Sequence, residues 1–349
     1  MLEDVRRQPE CLRRLLGRAA ELSETGREAL TPAAGGSVHA VGCGDGWFAA
    51  RAARHARAAS ALDFLVYVAP GLTPADRVVA ISMSGNVDRT VEAWQAAGAR
   101  GASGLVLTNG AGGRLGQGAP RKVSLDIPEL APFLCGTSTY TATVLALMLL
   151  LDADAAATEA IGPVLGWLPQ AIADADGWAR EVAGVAGRRG VTGVRILAAG
   201  PHVATAEYGA AKLVELTRIP AWSDDLEEFA HRQFWSADPR DLVVYLVPNG
   251  AVARLARDAA EALAELGFET VAIESAGEAV PTARHRFGVP AVPEWLAPLV
   301  LPIPLQLLAY HLALATGLDP NTRAHLREDQ ARFRVSRKLT RRTLVGTGR

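Results

Sequence analysis

The sequence predicts an α/β protein built as two doubly wound parallel-sheet domains in tandem. Three observations carry this prediction. Strand-like apolar runs alternate with helical stretches, the pattern of repeated βαβ units. The strand interiors are continuously apolar rather than alternating, as expected of strands covered on both faces. The scheme also runs twice: VHAVGCGDG (38–46) matches RILAAGPHV (195–203), and RVVAISMSG (77–85) matches DLVVYLVPNG (241–250). A length of 349 residues fits about two domains.

Taken in order, Leu12, Leu15, Leu16, Ala19 and Leu22 give residues 10–30 the spacing of an amphipathic helix. A strand then ends in the glycine-rich turn at 42–46, and 49–59 has helical period. Strands are expected at 61–69, 77–85, 103–109 and 121–127, with a helix over 90–99. A long helix follows from Ser138 to about Ala157, and 166–187 continues helically with a break at Pro169. The second round has a strand and turn over 194–203 leading into a helix that ends near Thr217. A strand at 241–250, a helix at 251–267 and strands at 268–274 and 298–304 come next. A helix over 304–317 closes at Gly317, a residue suited to a C-cap. The expected divisions are an N-terminal helix at 1–30, domains at 31–157 and 158–318, and a tail at 319–349.

Composition narrows the function. Hydrophobic residues make up 49% and charged residues 21%, a globular balance. A formal net charge of −1 argues against general nucleic-acid binding. The cysteines are Cys11, Cys43 and Cys135, with no C-x-x-C pair, so neither a disulfide framework nor a metal site is expected. The start, MLEDVRRQPECLRR, has no apolar core, and the run VLALMLLL (144–151) stops at Asp152, short of the roughly 20 residues of a membrane span. A cytoplasmic protein is the expectation. Only Lys122, Lys212 and Lys338 are lysines.

Four stretches bear on chemistry. Ser82-Met83-Ser84-Gly85-Asn86 ends a strand and enters a helix; hydroxyls, a glycine and free amides there suit a phosphate, or equally an ordinary cap and turn. Gly42-Cys43-Gly44-Asp45-Gly46 allows close backbone approach but is not G-x-G-x-x-G, and Asp45 repels phosphate while suiting a cap or a sugar hydroxyl. Cys135-Gly136-Thr137-Ser138-Thr139 opens the long helix with hydroxyls that bind or cap. Lys212 and Glu215 are helix neighbours at i,i+3, and sixteen residues past Glu215 an acid cluster ends in His231. A carboxylate and an imidazole are the minimal pair for moving a proton beside a carbonyl. The tail beyond Arg332 is basic without an acid, either a solvated end or a cover for an anionic ligand.

Together GCGDG, ISMSGNVDRTVEA, CGTSTYTATVLALMLLL, YGAAKLVE, EEFAH and PLQLLAYHLALATGLDP resemble the double sugar-isomerase (SIS) domain proteins. The resemblance is to the isomerase half of glucosamine-6-phosphate synthase and its phosphosugar isomerase, deaminase and deglycase relatives, over about residues 30–330. It implies flavodoxin-like domains, a homodimer, and a sugar 6-phosphate held by Ser82, Ser84, Ser138 and Thr139; Gly44, Asp45, Lys212 and Arg232 are further candidates for contact with the ligand. It implies Glu215 as the base moving a proton between C1 and C2, and His231 in ring opening and at the neighbouring subunit's site, with Glu228 on the family's acid before it. No metal or redox cofactor is needed. The chain departs from the family at Asp45 and Gly46, where hydroxyls are usual, at Val87 for threonine, and at Arg232-Gln233 for Gly-Pro. Where the synthase has its imine-forming tail lysine stands Glu328, with Lys338 ten residues on. Glutamine-dependent amination is not expected. The expected activity is a phosphosugar aldose–ketose isomerase; the alternatives are a deglycase of a phosphorylated fructosamine and a non-catalytic sugar-phosphate sensor.

Overall fold

Ten parallel strands, the central ones formed from apolar runs bounded by glycine, proline and polar turns, are present in the computed structural model, which describes residues 1–344 except 112, 153, 155–158 and 249. The first five are β1 (Val38–Gly42), β2 (Arg57–Ser60), β3 (Arg77–Ile81), β4 (Ser103–Thr108) and β5 (Lys122–Ser124). They pair in the order β2-β1-β3-β4-β5. The second five are β6 (Val194–Ala198), β7 (Ala221–Asp225), β8 (Leu242–Val247), β9 (Glu269–Ser275) and β10 (His285–Val289), in the order β10-β9-β8-β6-β7. Read from the other edge, that order repeats the first, with β6 in the place of β1 and β8 in the place of β3. The matched stretches noted in the sequence thus occupy matched places. In each sheet the strand order reverses between these two strands, and the crevice at their carboxyl ends is where such sheets hold ligands.

The helices used below are α1 (Ala19–Leu30), α2 (Asp45–Ala52), α3 (Asp88–Ala99), α4 (Ser138–Leu151), α5 (Ile161–Arg188), α6 (Val203–Thr217), α7 (Leu226–His231), α8 (Gly250–Glu265), α9 (Pro302–Ala315) and α10 (Gln330–Thr340). The chain divides into two compact units. One holds the first sheet, with Glu10–Glu129, Ser138–Thr158 and the segment from Leu326 onward. The other holds the second sheet, with Met1–Pro9, Leu130–Thr137 and Glu159–His325. Val78, Val79, Leu105 and Val106 are fully buried in the first sheet, as are Val243, Val244 and Ile273 in the second. This is the double-sided covering that the unbroken apolar runs demand.

Several local expectations are corrected. The stretch 61–69 is not a strand: the strand is Arg57–Ser60, and Ala61–Gly71 is helical. Ser60 Oγ accepts a hydrogen bond from Asp63 N at 3.1 Å and so caps a helical turn, and an apolar run without alternation does not distinguish strand from buried helix. Likewise 298–304 is helical, in Ala297–Val300 and the start of α9. Pro302 and Pro304 stand in the first turn of α9, where a missing N–H is not needed. Three strands went unpredicted: β2, which falls largely within the stretch 49–59 expected to be helical although the helix stops at Ala52, β7, which reads AWSDD, and β10, which reads HRFGV. All three are sheet edges, where polar residues are tolerated. Pro169 does not break its helix: it lies inside α5, on the exposed side. The first amphipathic stretch is two helices, Gln8–Leu16 and α1. The expected end of the long helix near Ala157 lies outside the described residues, as does Arg349.

The segment Glu294–Ala315 is long and apolar enough to cross a membrane, but 94% of its apolar window is buried inside the protein. Close helix packing is visible at Gly26 in α1, where an added Cβ would lie 1.9 Å from Leu150 O in α4. Two backbones must separate to accommodate it. Gly26→Ala is therefore expected to destabilise the fold by about 3 kcal/mol, against a helix-propensity gain of about 1 kcal/mol. Urea unfolding checks this; a stabilised variant would refute the close approach.

Candidate functional site

At the carboxyl edge of the first sheet, glycine is required by packing. A Cβ on Gly42 would lie 2.9 Å from the Gly46 carbonyl carbon, and one on Gly46 would lie 3.0 Å from the Ile81 side chain and carbonyl oxygen. The loop after β1 therefore lies against the end of β3. Gly44 turns the chain at φ +53°, and Asp45 opens α2, where an acid suits the helix N-terminus. Cys43 is half-buried, and Thr90 Oγ1 donates to its Sγ at 3.7 Å. Burial pushes the Cys43 thiol above its ordinary value.

The loop after β3 is held by backbone bonds. Ser82 N donates to Leu107 O at 3.0 Å, and Gly85 N donates to Ser82 O at 3.0 Å. Gly85 needs its φ of +64° for this turn. Ser82 is 6% exposed, and its hydroxyl has no partner among the described residues. An unsatisfied buried hydroxyl at the ligand end of a strand is a mark of a binding site. Ser84 is exposed and accepts from Asn86 N at 3.2 Å. Val87, the N-cap of α3, makes no side-chain cap bond. Thr143 Oγ1 lies 3.5 Å from Met83 Sδ and donates to Thr139 O at 2.6 Å, so the first turn of α4, with buried Ser138, is tied to this loop. The sequence reading missed Arg114, whose guanidinium donates to Asn86 O at 2.9 Å and pairs with Asp88. Only the fold brings that cation to the loop.

The second cluster lies in the other unit. One helical turn of α6 presents Lys212 and Glu215 together, and Lys212 Nζ donates to Glu215 Oε1 at 3.0 Å. The Lys212 side chain is 2% exposed, so this is not the solvated surface pair that i,i+3 spacing alone describes. Arg323 Nη1 donates to Glu215 Oε2 at 3.0 Å, and the Cys135 thiol also hydrogen-bonds the carboxylate. Burial pushes the Glu215 carboxyl up. The charges of Lys212 and Arg323 and the bonds from Lys212 and Cys135 outweigh that, and the group is held below the ordinary carboxylate range. Tyr208 supports the cluster: its hydroxyl donates to Gly136 O at 2.8 Å and accepts from Gln306 Nε2 at 2.9 Å, with Lys212 Nζ 5.3 Å from its ring.

The backbone around Glu215 is unusual. Phe133, Arg218 and Arg323 have φ of +62°, +59° and +49°. Such conformations cost a non-glycine residue about 1–3 kcal/mol and cluster at functional sites. Arg323 Nε donates to Phe133 O, the Arg218 guanidinium to His325 O, and His325 Nε2 to Glu215 O at 3.2 Å. Cys135 and Tyr208 stood in motifs of the sequence without an assigned role; Arg323 and His325 carried no local signal of a role here.

The other expected residues sit apart from this cluster. His231, at the end of α7, is 66% exposed and lies 3.5 Å from Glu227. Arg232 pairs with Asp224 and lies 3.7 Å from Glu228. Among the described residues no hydrogen bond or ion pair joins His231, Glu228 or Arg232 to Glu215. Ser82, Ser84, Ser138 and Thr139 thus gather in one unit, Lys212 and Glu215 in the other.

Comparison with known proteins identifies the family of the two sheets. The SIS domain model matches residues 32–153 and 194–316. The chain is 29% identical over 275 residues to a glutamine–fructose-6-phosphate aminotransferase (isomerizing) of Caulobacter vibrioides, covering 72% of this chain and 44% of that protein. It spans about half the length of the curated relatives it matches. The C-terminal domain of glucosamine-fructose-6-phosphate aminotransferase from Francisella tularensis superposes with a TM-score of 0.72, covering 92% of this chain and 97% of that one at 19% identity. Tagatose-6-phosphate ketose/aldose isomerase from Escherichia coli superposes at 0.71, covering 92% and 94% at 18% identity. At these identities the superpositions speak to the fold.

Proposed function

The chain belongs to the SIS domain family, and from that premise we propose that it is an enzyme interconverting an aldose and a ketose form of a phosphorylated sugar or amino sugar. The observation that carries this reading is the Glu215 carboxylate, kept ionised by Lys212, Arg323 and Cys135 at the end of α6. A base has to be unprotonated before it acts. In the open-chain substrate Glu215 takes the proton from the carbon beside the carbonyl, leaving an enediolate, and the proton of the adjacent hydroxyl passes to the former carbonyl oxygen. Returning the proton held by Glu215 to the neighbouring carbon moves the carbonyl by one position.

The Ser82 hydroxyl, with Ser84, Ser138 and Thr139 and the amides opening α3 and α4, receives the phosphate. Gly44 and Asp45 meet sugar hydroxyls. His231, with Glu228 beside it, opens the ring, and its exposure suits a residue that serves the partner's site in a homodimer. Arg232 is assigned to the phosphate, in competition with Asp224. The reading places the protein in the cytoplasm and requires no cofactor.

A deglycase is the second reading. Lys212 is engaged by Glu215, Lys122 Nζ donates to Ala111 O, and Lys338 lies exposed on α10. That disposition favours chemistry without an enzyme–substrate imine.

The test is proton exchange. Hexose 6-phosphates and amino-sugar phosphates in D2O are expected to gain deuterium at C1 or C2, detected by NMR, and their unphosphorylated parents are not. Release of amine from a fructosamine 6-phosphate without sugar interconversion would select the deglycase. Ligand binding without turnover of any substrate would leave a sensor.

A further inference from the structure

The geometry points to a second ligand site, for a small organic anion, at the amino edge of the first sheet. A cavity of about 510 Å³ opens there, walled by α1, the starts of β1 and β2, and the end of α4. This is within the size range of metabolite pockets and larger than a bare phosphate requires. The phosphate-type loops described above lie at the opposite ends of the same strands, about 13 Å away along β1.

The lining has one sign of charge. Arg27, His55 and Arg57 line it, and none of the lining residues is a carboxylate. The guanidinium of Arg57 has no hydrogen bond or ion pair among the described residues. Nearby donors are occupied by carboxylates outside the lining: Arg27 pairs with Glu24, Arg54 pairs with Asp152, and His55 Nε2 lies 3.1 Å from Asp152. The cavity thus retains an uncompensated guanidinium in a concave setting, where charge is focused on an entering ion. His55 is held at φ +66°, a conformation costly to an imidazole-bearing residue and freely available to glycine. Keeping histidine there places a ring on the wall at the expense of backbone strain.

The remaining lining fits an organic body. Ser23 and Thr31 offer hydroxyls, and Leu30, Val38 and Leu151 offer apolar surface. The ligand class is therefore a multiply charged anion with a carbon skeleton. A phosphate monoester and a polycarboxylate share that chemistry. Bound there, it would press on α4, which begins at Ser138 and ends in the cavity wall.

Titration calorimetry on the full chain tests this, with glycerol 3-phosphate in one arm and citrate in the other. At least one is expected to bind with a Kd of about 1 mM or tighter. Arg57→Glu is expected to weaken that binding tenfold or more, and Ser82→Ala to leave it in place. His55→Gly is expected to keep the melting temperature within a few degrees while weakening the same probe. Binding in one arm alone identifies the source of the anion and supports the site. No heat in either arm, equal affinity in Arg57→Glu and wild type, or loss of all binding in Ser82→Ala would overturn it. These readouts are binding constants, so they stand or fall independently of any isomerase activity.

Discussion

Glu215→Gln is expected to lower kcat about 10³-fold, equivalent to about 4 kcal/mol, while substrate affinity changes little. The amide keeps the size of the carboxylate and removes its basicity. A shape or binding role for Glu215 would predict the opposite pattern, a raised KM with kcat retained. The direct measurement is deuterium incorporation at C1 and C2 of the bound sugar phosphate, which should vanish with turnover. A variant within tenfold of wild type would remove Glu215 from the chemistry. The acid limb carries a second consequence. Because the folded carboxyl titrates below its ordinary value, the base form persists below the usual glutamate value of about 4.3. An activity loss seen nearer pH 6 would therefore belong to another group. The same sign holds for stability: the contribution of Glu215 is present above its unfolded value and is lost as pH falls through the folded one.

Lys212→Met is expected to cost about 10²-fold in kcat and to move the acid limb of kcat/KM upward. Methionine approximates the stem of lysine and omits the charge. Lys212 lies as close to Glu215 as Arg323 does, at 3.0 Å, and is almost wholly buried, so its field on the carboxylate is little screened by water. With Lys212 gone, burial acts more strongly on Glu215 and favours its neutral form, leaving Arg323 to oppose it. If Lys212 instead contacts the substrate phosphate, KM rises and the pH profile stays in place. The pH profile of the variant separates these roles, and Lys212→Arg, which restores a cation, should recover part of the shift.

The fold class was legible because parallel sheets impose a coarse pattern on sequence. Their strands are buried on both faces, so RVVAIS and DLVVYLV appear as solid apolar runs that helices must separate. Edge strands escape that constraint, and β7 and β10 were missed for that reason. The run at 298–304 was misread because burial on every side erases the period that tells helix from strand, and the run at 61–69 because its exposed face is apolar too, at Leu62, Val66 and Tyr67.

For the site, the sequence by itself determined which residue types lie at strand ends and on one helical turn. It placed Ser82 and Ser84 after β3, Gly44 and Asp45 after β1, and Lys212 one turn before Glu215. These are consequences of local spacing. It did not determine that Lys212 is a buried partner of Glu215 and not a solvated one, nor that Arg323, more than one hundred residues on, closes the other side of the carboxylate. It also gave no sign that Arg57 lines a cavity without a carboxylate. Only the tertiary structure decided those points. Burial and long-range charge pairing depend on what the rest of the chain packs against a side chain, and the local sequence does not carry that information.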